Sequence, residues 1–391
     1  MSVTIPSWLS TALAGGGLDL VETWADLYQA GVKVAEVDVV DGTVKAVWGQ
    51  DITSTVDLTL AGWDGFLPET PVVGTDRRFG DDLFGDGIYG EYRHAEYRTL
   101  AMPVKTKAVV YWKATVGTNT HTVTLGSFTV VSVEWADEPD GPRMKLAGSD
   151  VSWDLAQSKW LTPHQVPEGT TLTAAITGIV DDYLPGTGVT MPTVGYTTPL
   201  ATYLPGTGGD IWRACADLAS AAGLELVADR AGDLTGVVSE DDEGASPVWS
   251  ITDTGTGIRF TETPDADQLC NTVLAFGEGA GATPVYAVAQ DTAGPFGTTA
   301  VGRAVVREYR SPLIRTTGDA MNAAVKLLHR WSAVSEVVEV DTAPVPHLDP
   351  GDYVRIVSDG LELDDTFRVV TVTAPLTVGR PWKVTARRRL T

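Results

Sequence analysis

Residues 51–60 read DITSTVDLTL. The apolar residues of this stretch share one parity and the polar residues mostly take the other, which is the period of a β-strand with one buried face. Similar β-rich segments lie on both sides of it, at 32–40, 43–48, 104–115, 122–135 and 143–146. The sequence therefore predicts that residues from about 18 to 150 are mainly antiparallel β, folded as a small barrel or sandwich.

Turn signals subdivide this region. Asp41-Gly42 predicts a hairpin turn, so that residues 43–48 run back along 32–40. Residues 20–28 stay open, because their apolar positions fit one face of a helix and one face of a strand.

The middle of the chain changes to helical periodicity. An apolar stripe with i, i+3, i+4 and i+7 spacing predicts a helix over about 171–184. A second helix is predicted between Gly209 and Gly223, with Cys215 on its apolar face. A hairpin follows, with strands at 224–228 and 234–238.

The last third predicts one helix and a second β-module. Residues 320–331 carry an apolar helical face, and Thr316 with Asp319 matches a capping box. Strands are predicted at 335–341, 352–358, 366–373 and 382–389. The predicted fold class is mainly β with an α+β middle, in which two small antiparallel β-barrels flank an α/β segment. The predicted domains are 1–155, 156–262 and 263–391, with barrels that need not be continuous in sequence.

Residues 62–90 form a segment rich in glycine and aspartate that interrupts the first β-module. Its length and composition predict a long ordered loop, and loops of this kind commonly carry function. Its aromatic and basic side chains are the candidate interface residues, namely Trp63, Phe66, Arg77, Arg78, Phe79, Phe84 and Tyr89.

Charge and composition exclude several classes of protein. Lys and Arg number 28 against 51 Asp and Glu, a formal net charge of −23, so tight DNA binding is disfavoured while DNA can pass without adhering. The arginines 387–389 are interpreted as a solvated or paired strand edge. Residues 1–6 lack the features of a signal peptide, and no apolar run of about 18 residues predicts a membrane span. Two cysteines supply neither a disulfide framework nor a zinc site, so we expect folding in a reducing cytoplasm.

Catalytic motifs are missing from the sequence. The five histidines are scattered, and no metal, nucleophile or dinucleotide signature occurs. Adjacent acids such as Asp364-Asp365 do not supply the opposed carboxylates of a glycosidase, and Cys215 is interpreted as a core residue. The chain is therefore predicted not to be an enzyme and to use no cofactor or metal.

Several motifs follow one another in a series along most of the chain, at 40–44, 52–60, 125–130, 146–150, 212–219 and 222–226. This series resembles a family of minor tail proteins from phages of actinobacteria. Residues 348–354 are similar to the entry into the β-barrel of tail hub, or baseplate hub, proteins.

The resemblance implies a structural hub at the tip of a long phage tail. Such hubs are homotrimers with two similar β-barrels per subunit, so six barrels meet the sixfold tail tube and join it to the threefold tip. The implied partners are the tail tube or distal tail protein ring and other tail-tip or fibre proteins, with DNA passing through a negative channel. The implied location is the virion tail tip, after assembly in the host bacterial cytoplasm.

Two other functions remain open. Twelve tryptophans suit a glycan-binding, receptor-recognition module if several of them line one groove, although packing explains most of their positions. A cell-wall-degrading glycoside hydrolase would instead need two carboxylates that face each other across a cleft.

Overall fold

The computed structural model describes residues 3–15, 17–60, 101–138, 141–194, 197–206, 209–238, 245–253, 255–265, 269–277, 285–311, 313–331 and 334–390. The predicted loop at 62–90, with its seven candidate interface residues, lies outside the described residues. Within the described residues, no helix is both long and apolar enough to cross a membrane.

The described residues of the N-terminal part form one helix and six strands, and we call the six strands the N-terminal strand unit. Helix α1 covers Ser7–Gly15, and the strands are β1 (Leu20–Gln29), β2 (Val32–Val47), β3 (Ser54–Leu60), β4 (Thr106–Val116), β5 (Asn119–Glu138) and β6 (Gly141–Ser149). They are hydrogen-bonded in the order β1-β4-β5-β6-β3-β2, and β2 pairs again with β1. The six strands therefore close into a ring, and residues 20–28 are a strand.

The predicted hairpin turn at Asp41-Gly42 is wrong, because β2 continues through both residues. Residues 32–38 of β2 pair with β1, and the strand pairs with β3 from Val39 onward, with a bulge between Val39 and Asp41. A Cβ on Gly42 would collide with the carbonyl oxygen of Asp57 on β3. The glycine therefore permits a close backbone approach at a bulge, where the sequence pattern indicated a chain reversal.

The middle of the chain forms a separate α/β module. Its elements are α2 (Val151–Gln157), β7 (His164–Val166), α3 (Leu172–Asp181), β8 (Val189–Thr190), β9 (Ala201–Tyr203), α4 (Ile211–Ala221), β10 (Leu224–Ala228) and β11 (Leu234–Val238). Both predicted helices and the predicted hairpin are confirmed. Thr171 and Asp210 cap α3 and α4, because their side-chain oxygens accept bonds from the amides of Ala174 and Arg213.

A second, smaller insert lies between two groups of C-terminal strands. Strands β12 (Trp249–Thr252) and β13 (Gly257–Asp265) precede it. The insert itself contains β14 (Thr272–Gly277), β15 (Val285–Gln290), α5 (Thr298–Val301), β16 (Val306–Ser311) and α6 (Thr317–Trp331). The capping box is confirmed at α6, where Thr316 and Asp319 exchange bonds between side-chain oxygen and backbone amide at 3.1 and 2.9 Å.

The C-terminal strand unit combines β12 and β13 with four later strands. These are β17 (Val334–Thr342), β18 (Tyr353–Ser358), β19 (Leu363–Pro375) and β20 (Trp382–Leu390), as the sequence predicted. Their order is β12-β18-β19-β20-β17-β13. One buried apolar cluster runs through both strand units, and the middle module and the insert each have a cluster of their own. The fold is mainly β, and the domain boundaries assigned from sequence stay a prediction.

Candidate functional site: the junction of the strand units

The two strand units have the same strand order, with two differences. Strand β1 is antiparallel to β4 and also pairs with β2, whereas β12 is parallel to β18 and does not pair with β13 among the described strands. The prediction of purely antiparallel pairing in the second unit is therefore wrong for β12 and β18. If the six strands of each unit are numbered along the chain, both sheets read 1-4-5-6-3-2. Their fifth strands also carry a bulge at matching positions, between Val130 and Ser132 in β5 and between Val369 and Thr371 in β19. One strand plan therefore occurs twice in this chain, although the sequence shows no evident repeat.

The two units are joined by backbone pairing at one edge. Residues Thr43–Val47 of β2 pair antiparallel with Pro375–Thr371 of β19. The amide of Trp48 extends this ladder to the carbonyl of Val370 at 2.7 Å, and the amide of Leu376 donates to the carbonyl of Gly42 at 2.9 Å. The junction is thus part of one continuous 12-stranded sheet.

A buried arginine and a tryptophan pack over this junction. Arg368 of β19 is 3% exposed, and its guanidinium carbon lies 4.2 Å from the ring centroid of Trp48. One guanidinium nitrogen donates to the carbonyl of Val238 in the middle module at 2.7 Å. Gly351 has φ +96° and lies against the Trp48 ring, where a Cβ would clash. The predicted turn at 350–351, in the C-terminal strand unit, therefore packs against the indole of Trp48 from the N-terminal strand unit.

Arg230 connects three parts of the chain. It lies at the tip of the β10–β11 hairpin, and its Nε donates to the carboxylate of Asp349 at 2.6 Å. Its other nitrogens donate to the carbonyls of Thr124 at 3.2 Å, Pro346 at 2.5 Å and Leu348 at 2.7 Å. Because these acceptors lie on β5 and on the segment before β18, one guanidinium holds the middle module against both strand units.

Asp150 forms a second polar anchor at the N-terminus of α2. Its carboxylate accepts bonds from the hydroxyls of Thr53 at 2.5 Å and Ser54 at 2.9 Å, and from the amide of Ser152 at 3.0 Å. Asp150 is buried, so these bonds replace the water that its charge would otherwise need. The start of β3 is thereby fixed to the first turn of the middle module.

The junction also contains buried titratable groups. Burial and the charge of Arg230 lower the pKa of His347 to about 4, and its imidazole lies edge-on to Trp249 with ring centroids 4.7 Å apart. Burial raises the pKa of Asp352 to about 6. Burial likewise raises the pKa of Cys215, which packs in the core as predicted. These shifts follow from packing, and among the described residues no group of three or more side chains is arranged to hold a metal ion.

The remaining sequence-based candidates are only partly described. The ten tryptophan side chains that the structure describes are all buried or half-buried. Trp382 is the one of them that lines the cavity at the junction, beside Leu348 and Val372. Trp63 lies outside the described residues. Asp364 and Asp365 pair with Arg355 and Arg388 respectively, so this acidic pair is structural. Arg388 also contacts Glu336, which confirms the paired-edge interpretation for this arginine.

The sequence reasoning missed Arg230, Arg368 and Asp150 as junction residues. Arg230 stands in a stretch that indicated only a hairpin turn, and Asp150 had the local signal of a helix N-cap. Their long-range hydrogen-bond partners are more than 90 residues away in sequence, so no local pattern could identify them.

The fold is thus a mainly β chain in which one six-stranded order occurs twice and the two units are joined edge to edge. No family model matches the chain, and no curated protein matches it. Solved structures do match, and phage tail proteins are among them. The fold is similar to that of the tail protein from Neisseria meningitidis MC58, with a TM-score of 0.62 and 13% identity over 94% of this chain and 97% of that one.

Two prophage proteins are similar over comparable lengths. For the 43 kDa tail protein of prophage MuSo2 from Shewanella oneidensis, the TM-score is 0.58 with 14% identity, covering 94% of this chain and 98% of that one. For the prophage tail protein gp18 from Listeria monocytogenes EGD-e, the TM-score is 0.51 with 9% identity, covering 94% of each chain. The chain therefore has the fold of phage tail proteins.

Proposed function

We propose that this chain is a structural tail-hub protein of a long-tailed phage or a related injection particle. Three copies form a ring that joins the sixfold tail tube to a threefold tip. The observation that supports this proposal is the repeated 1-4-5-6-3-2 strand order, with the two units side by side in one sheet. A chain with two similar units presents six of them when three copies assemble, so it converts threefold into sixfold symmetry. Each strand unit would act as one of the small β-barrels of such a ring.

The charge of the chain suits this role. At a formal net charge of −23, a channel through the ring repels the phosphate backbone, so DNA passes without adsorbing. The proposed partners are the tail tube or distal tail protein ring on one side and tip or fibre proteins on the other. The segment at 62–90, with its aromatic and arginine side chains, is proposed to contact such a neighbour. The proposed location is the virion tail tip.

Mass photometry and negative-stain electron microscopy of the purified full chain test the proposal. A trimer has a mass of about 124 kDa, three times the 41.4 kDa of one chain, and is expected to appear as a ring with six lobes. The measurement is made over a series of concentrations, because assembly follows mass action. A chain that stays monomeric at every concentration, or that forms twofold particles without a central opening, would contradict the proposed function.

A further inference from the structure

The pairing inside one chain provides a template for pairing between chains. It uses strand 2 of the N-terminal strand unit (β2) and strand 5 of the C-terminal strand unit (β19). Because both units follow one strand plan, the complementary combination also exists: strand 5 of the first unit (β5) and strand 2 of the second (β13). Strand β13 is an edge strand and β5 lies between β4 and β6, and the two do not pair with each other among the described residues.

Residue equivalence between the units follows from the ladders. In the N-terminal strand unit the partners run Lys45, Thr55, Ser149, Thr129 across β2, β3, β6 and β5. In the C-terminal strand unit they run Thr263, Val337, Arg387, Arg368 across β13, β17, β20 and β19. Lys45 therefore corresponds to Thr263, and Thr129 corresponds to Arg368.

The same equivalence gives the register of the complementary pair. Inside the chain, Lys45 lies opposite Thr373 of β19. Thr373 follows the bulge of β19 by the same number of residues as Glu134 follows the bulge of β5. Transferring the internal pairing thus places Thr263 opposite Glu134, and Asp265 opposite Ser132.

The corresponding strand edges have room for a partner among the described strands. Beyond Thr129, where its ladder with β4 ends, β5 continues along β6 from Ser132 onward. In β19 the matching side is occupied by β2. Strand β13 pairs with β17 alone among the described strands. Ser132, Glu134 and Thr263 are all exposed, so no described strand prevents a second chain from pairing with these two edges.

We propose that β13 of one copy pairs antiparallel with β5 of the next copy, with Thr263 opposite Glu134. The partner is a second copy of this chain, and the inference rests on the proposed function, whose ring it supplies with a contact. The contact joins different strands of the two copies, so it repeats head to tail, and the proposed function requires that it close after three copies. Three internal β2–β19 junctions then alternate with three β13–β5 junctions around six strand units.

The side chains and backbone at these edges fit such a contact. No like charges are directly opposed, since threonine faces glutamate and serine faces aspartate. Pro264 corresponds to Ala46, and its nitrogen therefore lies on the side away from β17. A proline there removes one donor, so the contact between copies has one hydrogen bond fewer than the internal junction. Its edge position also limits pairing with unrelated strands.

Disulfide trapping in the full chain tests the register. The double variant Glu134→Cys with Thr263→Cys places two thiols on directly opposed residues, whose Cβ atoms lie about 5 Å apart in such pairs. Mild oxidation should give dimer and trimer bands on a non-reducing gel, and reduction should reverse them. The two native cysteines are buried, so each single variant is expected to stay monomeric on the same gel.

A register control separates specific pairing from random collision. Glu134→Cys with Arg259→Cys moves one thiol four residues along β13, about 13 Å, and should give no bands. Equal trapping by both double variants would overturn the proposal. A trimer in mass photometry without trapping by the Glu134–Thr263 variant would overturn the strand pairing and leave the hub function standing. A chain that neither assembles nor traps would overturn both.

Discussion

Replacing Arg230 with alanine should loosen the middle module from both strand units. The substitution removes the donor for Asp349 and for three backbone carbonyls at once. It also takes away the positive charge that helps to lower the pKa of His347.

The expected loss is about 3 kcal/mol of unfolding free energy. A hydrogen bond to a charged group contributes about 1.5–3 kcal/mol, and removing one partner of a buried ion pair costs about 3–5 kcal/mol. These values are not additive within one network. The Arg230 and Asp349 side chains are 17% and 18% exposed, so water can reach part of the vacated site. The lower end of the range therefore applies.

Urea denaturation followed by tryptophan fluorescence measures this effect. Arg230→Lys keeps the charge but loses the forked geometry, so it should fall between the wild type and Arg230→Ala. Arg303→Ala, which changes an exposed arginine, is the matched control and should stay within about 0.5 kcal/mol of the wild type. If Arg230→Ala also stays within that margin, the assignment of Arg230 as the connector of three chain parts is refuted.

Three further predictions concern the same sheet. Gly351→Ala should destabilise the fold by about 2 kcal/mol or more, because φ is +96° and the new methyl group meets Trp48; Gly360→Ala, which meets no neighbouring atom, should leave the urea midpoint unchanged. In the folded state the pKa of His347 is about 4, below its unfolded value, so neutral His347 favours the fold above about pH 6.5 and this contribution is lost as the pH falls towards 4. His347→Gln should therefore flatten the decline in unfolding free energy over that pH window. An unaltered decline would argue against the lowered pKa. Pro264→Ala should restore a donor at the edge of β13 and lower the concentration for half-assembly by about 2- to 10-fold per contact, and unchanged mass photometry would contradict the orientation of that edge.

Local patterns predicted the elements whose causes are local. Helices α3 and α4 follow from apolar stripes with helical spacing, and the start of α6 follows from the Thr316–Asp319 capping box. The Asp41-Gly42 prediction was wrong because the same dipeptide suits a tight turn and a bulge. The choice between them depends on strands β3 and β19, and β19 is more than 300 residues away in sequence.

The candidate site also depends on long-range contacts that local patterns do not predict. Arg230 and Arg368 act through backbone carbonyls in other modules, and a sequence does not show which carbonyls a guanidinium will reach. The strand order that the two units share could not be read from the sequence either. It is a property of which strands pair, and the side chains at equivalent positions differ between the units. The predictions for Trp63 and the other residues of the 62–90 segment stay predictions, since they lie outside the described residues.

The late position of β19 in the chain has a consequence for folding during synthesis. A ribosome makes β2 early, yet its partner β19 begins at Leu363, near the end of the chain. Throughout most of translation, the backbone amides and carbonyls of residues 43–47 that later bond to β19 have no partner. They therefore form an unpaired strand edge, which can pair with other chains. A chain that ends before residue 363 would lack β19, and this edge of β2 would stay unpaired. Such truncated products should therefore aggregate and should not persist as folded fragments.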